Sequence, residues 1–374
     1  MNRFPACLAL VLCIAALAAC GGGDDGVGSI QPGPRVEVPA DPNEQFALAA
    51  PADVGMNGPT LALAASELPA NSGISALLVM RHGRPVMEQY WNGYDKDTLH
   101  DMRSATKSVT SLLVGIAIDQ HALGGVDDTL AQWLSADYPG APALSRGLVL
   151  ENLLTMRSGA DCNDWNDASP GQEEHMYQAR DWVAFWLALS QKYTPDTVTS
   201  YCTGNPVVLG HVLANATHRR ADAFAQATLF GPLAITTARW NTYDNGTQVD
   251  TGGHLHMRPR DMLKLGQLAL QQGQWNGTQL VSAGWIAEST RQHTQFDDGS
   301  TDGYGYLWWH GLETWNSGSV DVFFANGAGG QYIFVVPQLD LVAVFTGENY
   351  ANEVGAQQPY DVLRQYIIGA VAPA

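Results

Sequence analysis

The run Ser104-Ala105-Thr106-Lys107 sets a hydroxyl and an amine three positions apart where a helical pattern begins. On an α-helix, positions i and i+3 project to the same side, so the Lys107 amine reaches the Ser104 hydroxyl. A helix start also offers unpaired N–H groups and the positive end of its dipole, which favour negative charge on the serine oxygen and on an attacked carbonyl. A neutral amine held in a polar pocket there accepts the serine proton. The pattern alone is weak: with four Lys and 18 Ser in 374 residues, chance supplies about 0.2 matches. Here it is the only match, and it opens a strongly periodic helix.

The elements that must hold this pair can be read outward from it. Val109, Leu112, Leu113 and Ile116 form an apolar stripe at helical spacing, with Ser104, Lys107, Ser108 and Ser111 on the opposite face. That helix runs from residue 105 to about 121 and ends at Gly124-Gly125. Residues 76–80 and 86–91 are β-rich runs joined by Arg81-His82-Gly83-Arg84-Pro85, which reads as a hairpin. Residues 181–189, 207–217, 259–272 and 360–371 read as helices, and residues 331–337 and 341–346 as strands. Strands at both ends with helices between predict an α+β fold: an antiparallel sheet flanked by helices, with an inserted, mainly helical region over about 126–250.

The chain carries 37 Asp and Glu against 19 Lys and Arg, a formal net charge of −18. A nucleic-acid partner is excluded on that balance, since nothing would neutralise phosphates. Residues 1–19 hold one cation, Arg3, and an apolar stretch too short to span a bilayer, as in a secretory signal. The stretch ends Leu17-Ala18-Ala19-Cys20, which resembles the lipobox of bacterial lipoproteins and implies acylation of Cys20 after cleavage. Residues 20–45, rich in Gly, Pro and Asp, read as a flexible tether, and residues 46–374 as the folded domain. The expected location is the cell envelope, lipid-anchored at the outer membrane and facing the periplasm, with no other membrane contact. Cys7 and Cys13 leave with the signal, so Cys162 and Cys202 remain as one expected disulfide in an oxidising compartment.

With Met102-Arg103-Ser104-Ala105-Thr106-Lys107-Ser108 and Leu153-Leu154-Thr155-Met156-Arg157-Ser158-Gly159 in view, the chain resembles the serine β-lactamase and penicillin-binding-protein superfamily. It is most similar to the class C-like branch of esterases, D-amino-acid peptidases and 6-aminohexanoate-dimer hydrolases. Met257-Arg258-Pro259-Arg260-Asp261-Met262, Tyr304-Gly305-Tyr306-Leu307-Trp308-Trp309 and Gly329-Gly330-Gln331 extend the resemblance over about 76–370. It implies a β-lactamase/transpeptidase-like fold, with Ser104 as nucleophile and Lys107 as base. It also implies that Tyr201, in Tyr201-Cys202-Thr203-Gly204-Asn205 nine residues before Gly210, relays a proton to the leaving group. Thr203 stands where the family carries Asn, and either Thr203 or Asn205 supplies the missing polar contact. At the family's third motif, Lys-Thr-Gly or His-Thr-Gly, this chain has Phe324-Ala325-Asn326. What remains is backbone: the N–H groups of Gly327 and Ser104 are the expected oxyanion hole.

Other residues fill in the expectation. Asp164 and Trp165, in a polar loop after Cys162 that also holds His175, are expected at the substrate mouth together with Asn205. His254-Leu255-His256 has metal-like spacing without a third ligand, so no metal is expected, and no cofactor. Gly-x-Ser-x-Gly is absent, which removes the α/β-hydrolase elbow. The function expected is a serine hydrolase acting through an acyl-enzyme on small esters or amides. The alternatives are a β-lactamase or D,D-peptidase, and a non-catalytic sensor lipoprotein that keeps the fold. Neither the natural substrate nor the oligomeric state follows from the sequence.

Overall fold

Apolar residues at every position of a strand demand cover on both sides, and the first strand is of that kind. In β1 (Ile74–Arg81), Leu77 and Val79 join one core while Ala76, Leu78 and Met80 join another, because successive side chains leave opposite faces. The computed structural model describes residues 47–68, 72–297 and 301–373. The signal segment 1–19, Cys20 and the tether 20–45 lie outside the described residues.

The remaining strands of the same sheet are β2 (Arg84–Tyr90), β3 (Thr294–Gln295), β4 (Gly303–Tyr304), β5 (Trp309–Trp315), β6 (Gly318–Gly327), β7 (Gln331–Val336) and β8 (Leu341–Gly347). Their order is β3-β4-β5-β6-β7-β8-β1-β2, and neighbours run antiparallel. The early hairpin is thereby sewn to the late strands, with Leu78 opposite Val344.

Five helices place the rest: α1 (Gly58–Ser66), α2 (Thr106–Asp119), α3 (Gly204–Thr217), α4 (Pro259–Leu270) and α5 (Glu353–Val362). Leu61 and Ala64 of α1 and Val362 of α5 bury against Leu77, Phe334 and Phe345 on one face of the sheet. α4 covers the other face. A Cβ on its Gly266 would stand 2.5 Å from Val342 and 2.8 Å from Ile333, so only glycine lets helix and sheet approach this closely. Between α2 and α4 the chain passes through the short helices Leu130–Leu134, Leu150–Leu154 and Trp182–Ala188 before α3. The fold is therefore the α+β arrangement expected, an antiparallel sheet flanked by helices with a mainly helical insertion.

α2 buries its polar stripe as well as its apolar one: every residue from Thr106 to Ala117 is buried. Its hydroxyls turn inward onto loop carbonyls, Ser108 Oγ donating to Leu307 O at 2.7 Å and Thr110 Oγ1 to Thr251 O at 2.7 Å. The last helix begins at Glu353 rather than Tyr360, capped by the Asn352 side chain, with Pro359 inside it. Strands β3, β4 and β5 have no counterpart in the sequence reading.

Candidate active site

A two-residue strand, His100–Asp101, delivers the chain into a tight turn over Arg103–Ala105, and α2 starts only at Thr106. Arg103 takes a φ of +48°, a left-handed conformation that costs a non-glycine residue about 1–3 kcal/mol. Two hydrogen bonds enforce it: Arg103 N donates to Asp101 Oδ1 at 2.9 Å, and Met102 N to Leu255 O at 2.8 Å. This held turn presents Ser104 ahead of the helix. Lys107, one helical turn on and buried, places Nζ 2.9 Å from Ser104 Oγ, 3.0 Å from Thr203 Oγ1 and 2.7 Å from Gly252 O. Nζ thus faces three oxygens, one each from Ser104, Thr203 and Gly252.

Tyr201 closes the group. Burial pushes its phenol up, opposed by Lys107 and by the adjacent Ser104 side chain. Lys107 Nζ sits 5.0 Å from the centre of the Tyr201 ring. Of the two residues left open for the family Asn, the structure brings Thr203 to the lysine. Asn205, expected at the substrate, is fully buried and turned away. Its Oδ1 accepts from Trp186 Nε1 at 3.1 Å and its Nδ2 faces Met156 Sδ. The reason is helical geometry: Asn205 lies on α3, and its side chain projects into the packed interior beside Trp186 rather than into the cleft.

Behind Thr203 lies a carboxylate the sequence did not single out. Thr203 Oγ1 accepts from Lys107 and donates its own proton to Glu173 Oε2 at 2.7 Å, and Tyr177 donates to the same oxygen at 3.2 Å. Asp164 braces this bridge from the backbone side, taking Thr203 N at 2.6 Å on Oδ2 and Glu173 N at 3.0 Å on Oδ1. Burial, then the neighbouring Glu173 carboxylate, push the Asp164 carboxyl up to about 6, against the pull of Lys107. On the far side of Lys107, Asp250 Oδ1 accepts from Gly252 N and Gly253 N at 3.0 and 2.9 Å. Asp250 fixes the turn whose carbonyl binds the lysine, and its own burial likewise raises its carboxyl to about 6.

Ser104 opens into a cleft of about 700 Å³. Trp165 lies at its edge, half exposed and stacked on Tyr201 with ring centres 5.1 Å apart. Gly327, at the end of β6, lines the cleft and abuts the Ser104 turn so closely that a Cβ would meet Met102 O at 2.1 Å. Phe324 and Asn326 also line it, while Ala325 faces the opposite core. Among the described lining residues there is no Lys, Arg or His. The charged ones are Asp164, Glu173 and Asp302.

Cys162 and Cys202 form a disulfide. It ties the Asp164–Trp165 loop to the chain beside Tyr201, reinforced by Ser200 Oγ donating to Cys162 O at 2.6 Å and Asp164 N to Tyr201 O at 2.9 Å. His175 holds its own loop, Nδ1 lying 3.1 Å from Ser169 O. His254 pairs with Asp101 Oδ2 at 2.8 Å, which raises its imidazole, and His256 Nδ1 is 3.0 Å from the His254 carbonyl. Glu173, Gly252 and Asp250 were missed because they lie far from the motifs in sequence and carry no spacing relation to them.

The sheet, the helical insertion and a cleft-facing serine paired with a buried lysine at their junction define a β-lactamase/transpeptidase-like protein. The beta-lactamase family model matches residues 65–367, and the chain belongs to that family of hydrolases. It is similar to the 6-aminohexanoate-dimer hydrolase of Paenarthrobacter ureafaciens, 26% identical over 294 residues covering 72% of this chain and 71% of the relative. In three dimensions it is similar to a D-stereospecific amidohydrolase from Streptomyces sp., at a TM-score of 0.63, 16% identity, and coverage of 82% of this chain and 97% of that one. It is similar also to a penicillin-binding protein from Bacillus halodurans, at a TM-score of 0.63, 15% identity, and coverage of 80% and 99%. Likeness at these identities concerns the fold.

Proposed function

We propose that the protein is a serine hydrolase that cleaves neutral esters or small amides through an acyl-enzyme on Ser104. The observation that carries the reading is the 2.9 Å contact between Lys107 Nζ and Ser104 Oγ at the floor of a cleft lined by no cation among the described residues. Lys107 takes the hydroxyl proton as Oγ attacks the carbonyl carbon, and the oxygen that becomes negative is received by the N–H groups of Ser104 and Gly327. Tyr201, beside Ser104, relays that proton from Lys107 to the departing alcohol or amine as its bond to the carbonyl carbon breaks, which leaves Lys107 neutral again. Water then enters by the reverse path: the base takes its proton, its oxygen attacks the acyl carbon, and Ser104 leaves reprotonated.

The same cleft argues against a β-lactam or a peptide with a free C-terminal carboxylate. Such substrates need a charge-assisted partner, whereas Phe324 and Ala325 occupy the positions of the cation and hydroxyl in the resembling enzymes. We further propose that the folded domain is carried at the cell envelope through a lipid on Cys20, on the strength of Leu17-Ala18-Ala19-Cys20. Steady-state kinetics test the main reading. Short-chain p-nitrophenyl esters should be hydrolysed, Ser104→Ala should abolish both turnover and fluorophosphonate labelling, and nitrocefin should be turned over weakly or not at all. A larger kcat/KM for nitrocefin than for the esters overturns the proposal in favour of a β-lactamase. An unlabelled wild-type protein overturns it in favour of a sensor.

A further inference from the structure

A second cavity, of about 550 Å³, shares none of its described lining residues with the substrate cleft. Its rim is exposed and polar, formed by Arg239, Asn241 and Thr242. Its walls are the half-buried rings of Tyr177, Trp182 and Trp240, with Trp182 held in place by stacking on Tyr243 at 4.1 Å. Its floor is Asp250 and His254: Asp250 is 0% exposed and its Oδ2 has no hydrogen-bond partner among the described residues, while His254 turns its Nδ1 to Asp101 Oδ2 at 2.8 Å.

An aromatic wall over a desolvated carboxylate oxygen is the chemistry that recognises an organic cation. The rings offer their negative faces to a positive charge, and the carboxylate offers a charge-assisted acceptor. We propose that this cavity is a binding site for a small primary ammonium compound, its nitrogen on Asp250 Oδ2 and its apolar body against Trp182 and Trp240. Arg239 at the rim repels a second positive charge, so the ligand is a monoamine, and a carboxylate at its far end would be met favourably. The site is wired to the nucleophile's partner. The other oxygen of Asp250 holds Gly252 N and Gly253 N, and Gly252 O accepts from Lys107. Occupancy therefore biases the turn that carries the lysine, and the ligand acts as an effector of turnover rather than as a competitor for the cleft.

Isothermal titration with n-pentylammonium chloride, with n-pentanol as neutral control and matched NaCl, tests this on the folded domain. Saturable binding of the ammonium and not of the alcohol is expected. Asp250→Asn, which keeps the acceptor for the two glycine N–H groups, should weaken it by about ten- to a hundred-fold, the worth of a bond to a charged group. Should that variant fail to fold, Trp240→Ala should still weaken binding. Ser104→Ala and the cleft variant Trp165→Ala should leave it within about twofold, which separates this inference from the hydrolase reading. No saturable binding, binding insensitive to the Asp250 and Trp240 substitutions, or binding lost in Trp165→Ala would each overturn the proposal.

Discussion

The bridge Lys107–Thr203–Glu173 makes the sharpest claim on mechanism, and Thr203→Val isolates it. Valine has nearly the shape of threonine and deletes the one oxygen that both accepts from Lys107 and donates to Glu173. Two buried hydrogen bonds to charged groups vanish together, each with a net worth of about 1.5–3 kcal/mol. Only the share that is stronger in the transition state appears in the rate. The lysine-side bond orients the base during proton transfer, whereas the glutamate-side bond is present throughout. One bond's worth therefore falls on kcat/KM, a loss of about 10- to 150-fold. The other falls on stability. The assay is kcat/KM for p-nitrophenyl butyrate, measured alongside Tm. Thr203→Ser restores the oxygen and should return activity to within a few-fold of wild type. Thr203→Asn, the residue of the resembling family, offers an amide oxygen to the lysine and should outperform valine. If Thr203→Val kept half of wild-type kcat/KM, or if serine were as damaged as valine, the hydroxyl would have no part in holding the base.

Three further outcomes follow from particular contacts. Reducing the Cys162–Cys202 bridge, which closes a separation of 40 residues, should lower stability by about 4 kcal/mol on the chain-entropy view. It should also slow ester hydrolysis, since the bridge joins the Asp164 loop to Tyr201; chemical denaturation and kinetics with and without reductant read both effects. Asp250 has its carboxyl raised to about 6 in the fold, so the folded state favours its protonated form, and the cost of ionising it is absent below about pH 4 and complete above about pH 7. Asp250→Asn should accordingly gain on wild type by about 2–3 kcal/mol at pH 8 and lose that advantage near pH 4; an equal difference at both pH values would refute the assignment. Mass spectrometry of the mature protein from its native host should find an acylated N-terminal Cys20, and an unmodified cysteine or a different N-terminus would refute the anchor.

What was legible in the sequence was whatever a local rule encodes. The turn-and-helix around Ser104 and Lys107, the hairpin of β1 and β2, and the strands β7 and β8 announce themselves by spacing or by continuous apolar runs. β5 does not, because its pattern is inverted: Leu312 is 64% exposed while Glu313 is 4% exposed. Glu313 is buried because Arg364, from beyond α5, meets both its oxygens at 2.9 and 2.7 Å. No local alternation could reveal that partner. The last helix reads about two turns late in the sequence, at Tyr360: it begins at Glu353, capped by Asn352, and holds Pro359 inside, where proline normally marks a helix start.

The active site divides along the same line. Ser104 and Lys107 are three residues apart and follow from helical geometry, whereas the other groups that hold Lys107 come from distant positions in the chain. Thr203, Gly252 and Ser104 converge on a single nitrogen from three separate segments, and two of those contacts are in turn fixed by acids, Glu173 through Thr203 and Asp250 through Gly252. A lysine saturated by acceptors and backed by carboxylates is held in one place, which suits a base that must meet one hydroxyl. The same acids account for the emptiness of the third motif. In a cleft already lined by Asp164, Glu173 and Asp302, a substrate carboxylate would be repelled wherever it lay, and a single cation at the position of Phe324 would be drawn toward those acids before it met a ligand. The aromatic side chain there instead packs against Trp309 and Tyr360 and gives the cleft an apolar wall. On the proposed mechanism, the acidic support for Lys107 and the lack of a cation among the described lining residues belong to one electrostatic arrangement, and together they favour neutral acyl groups.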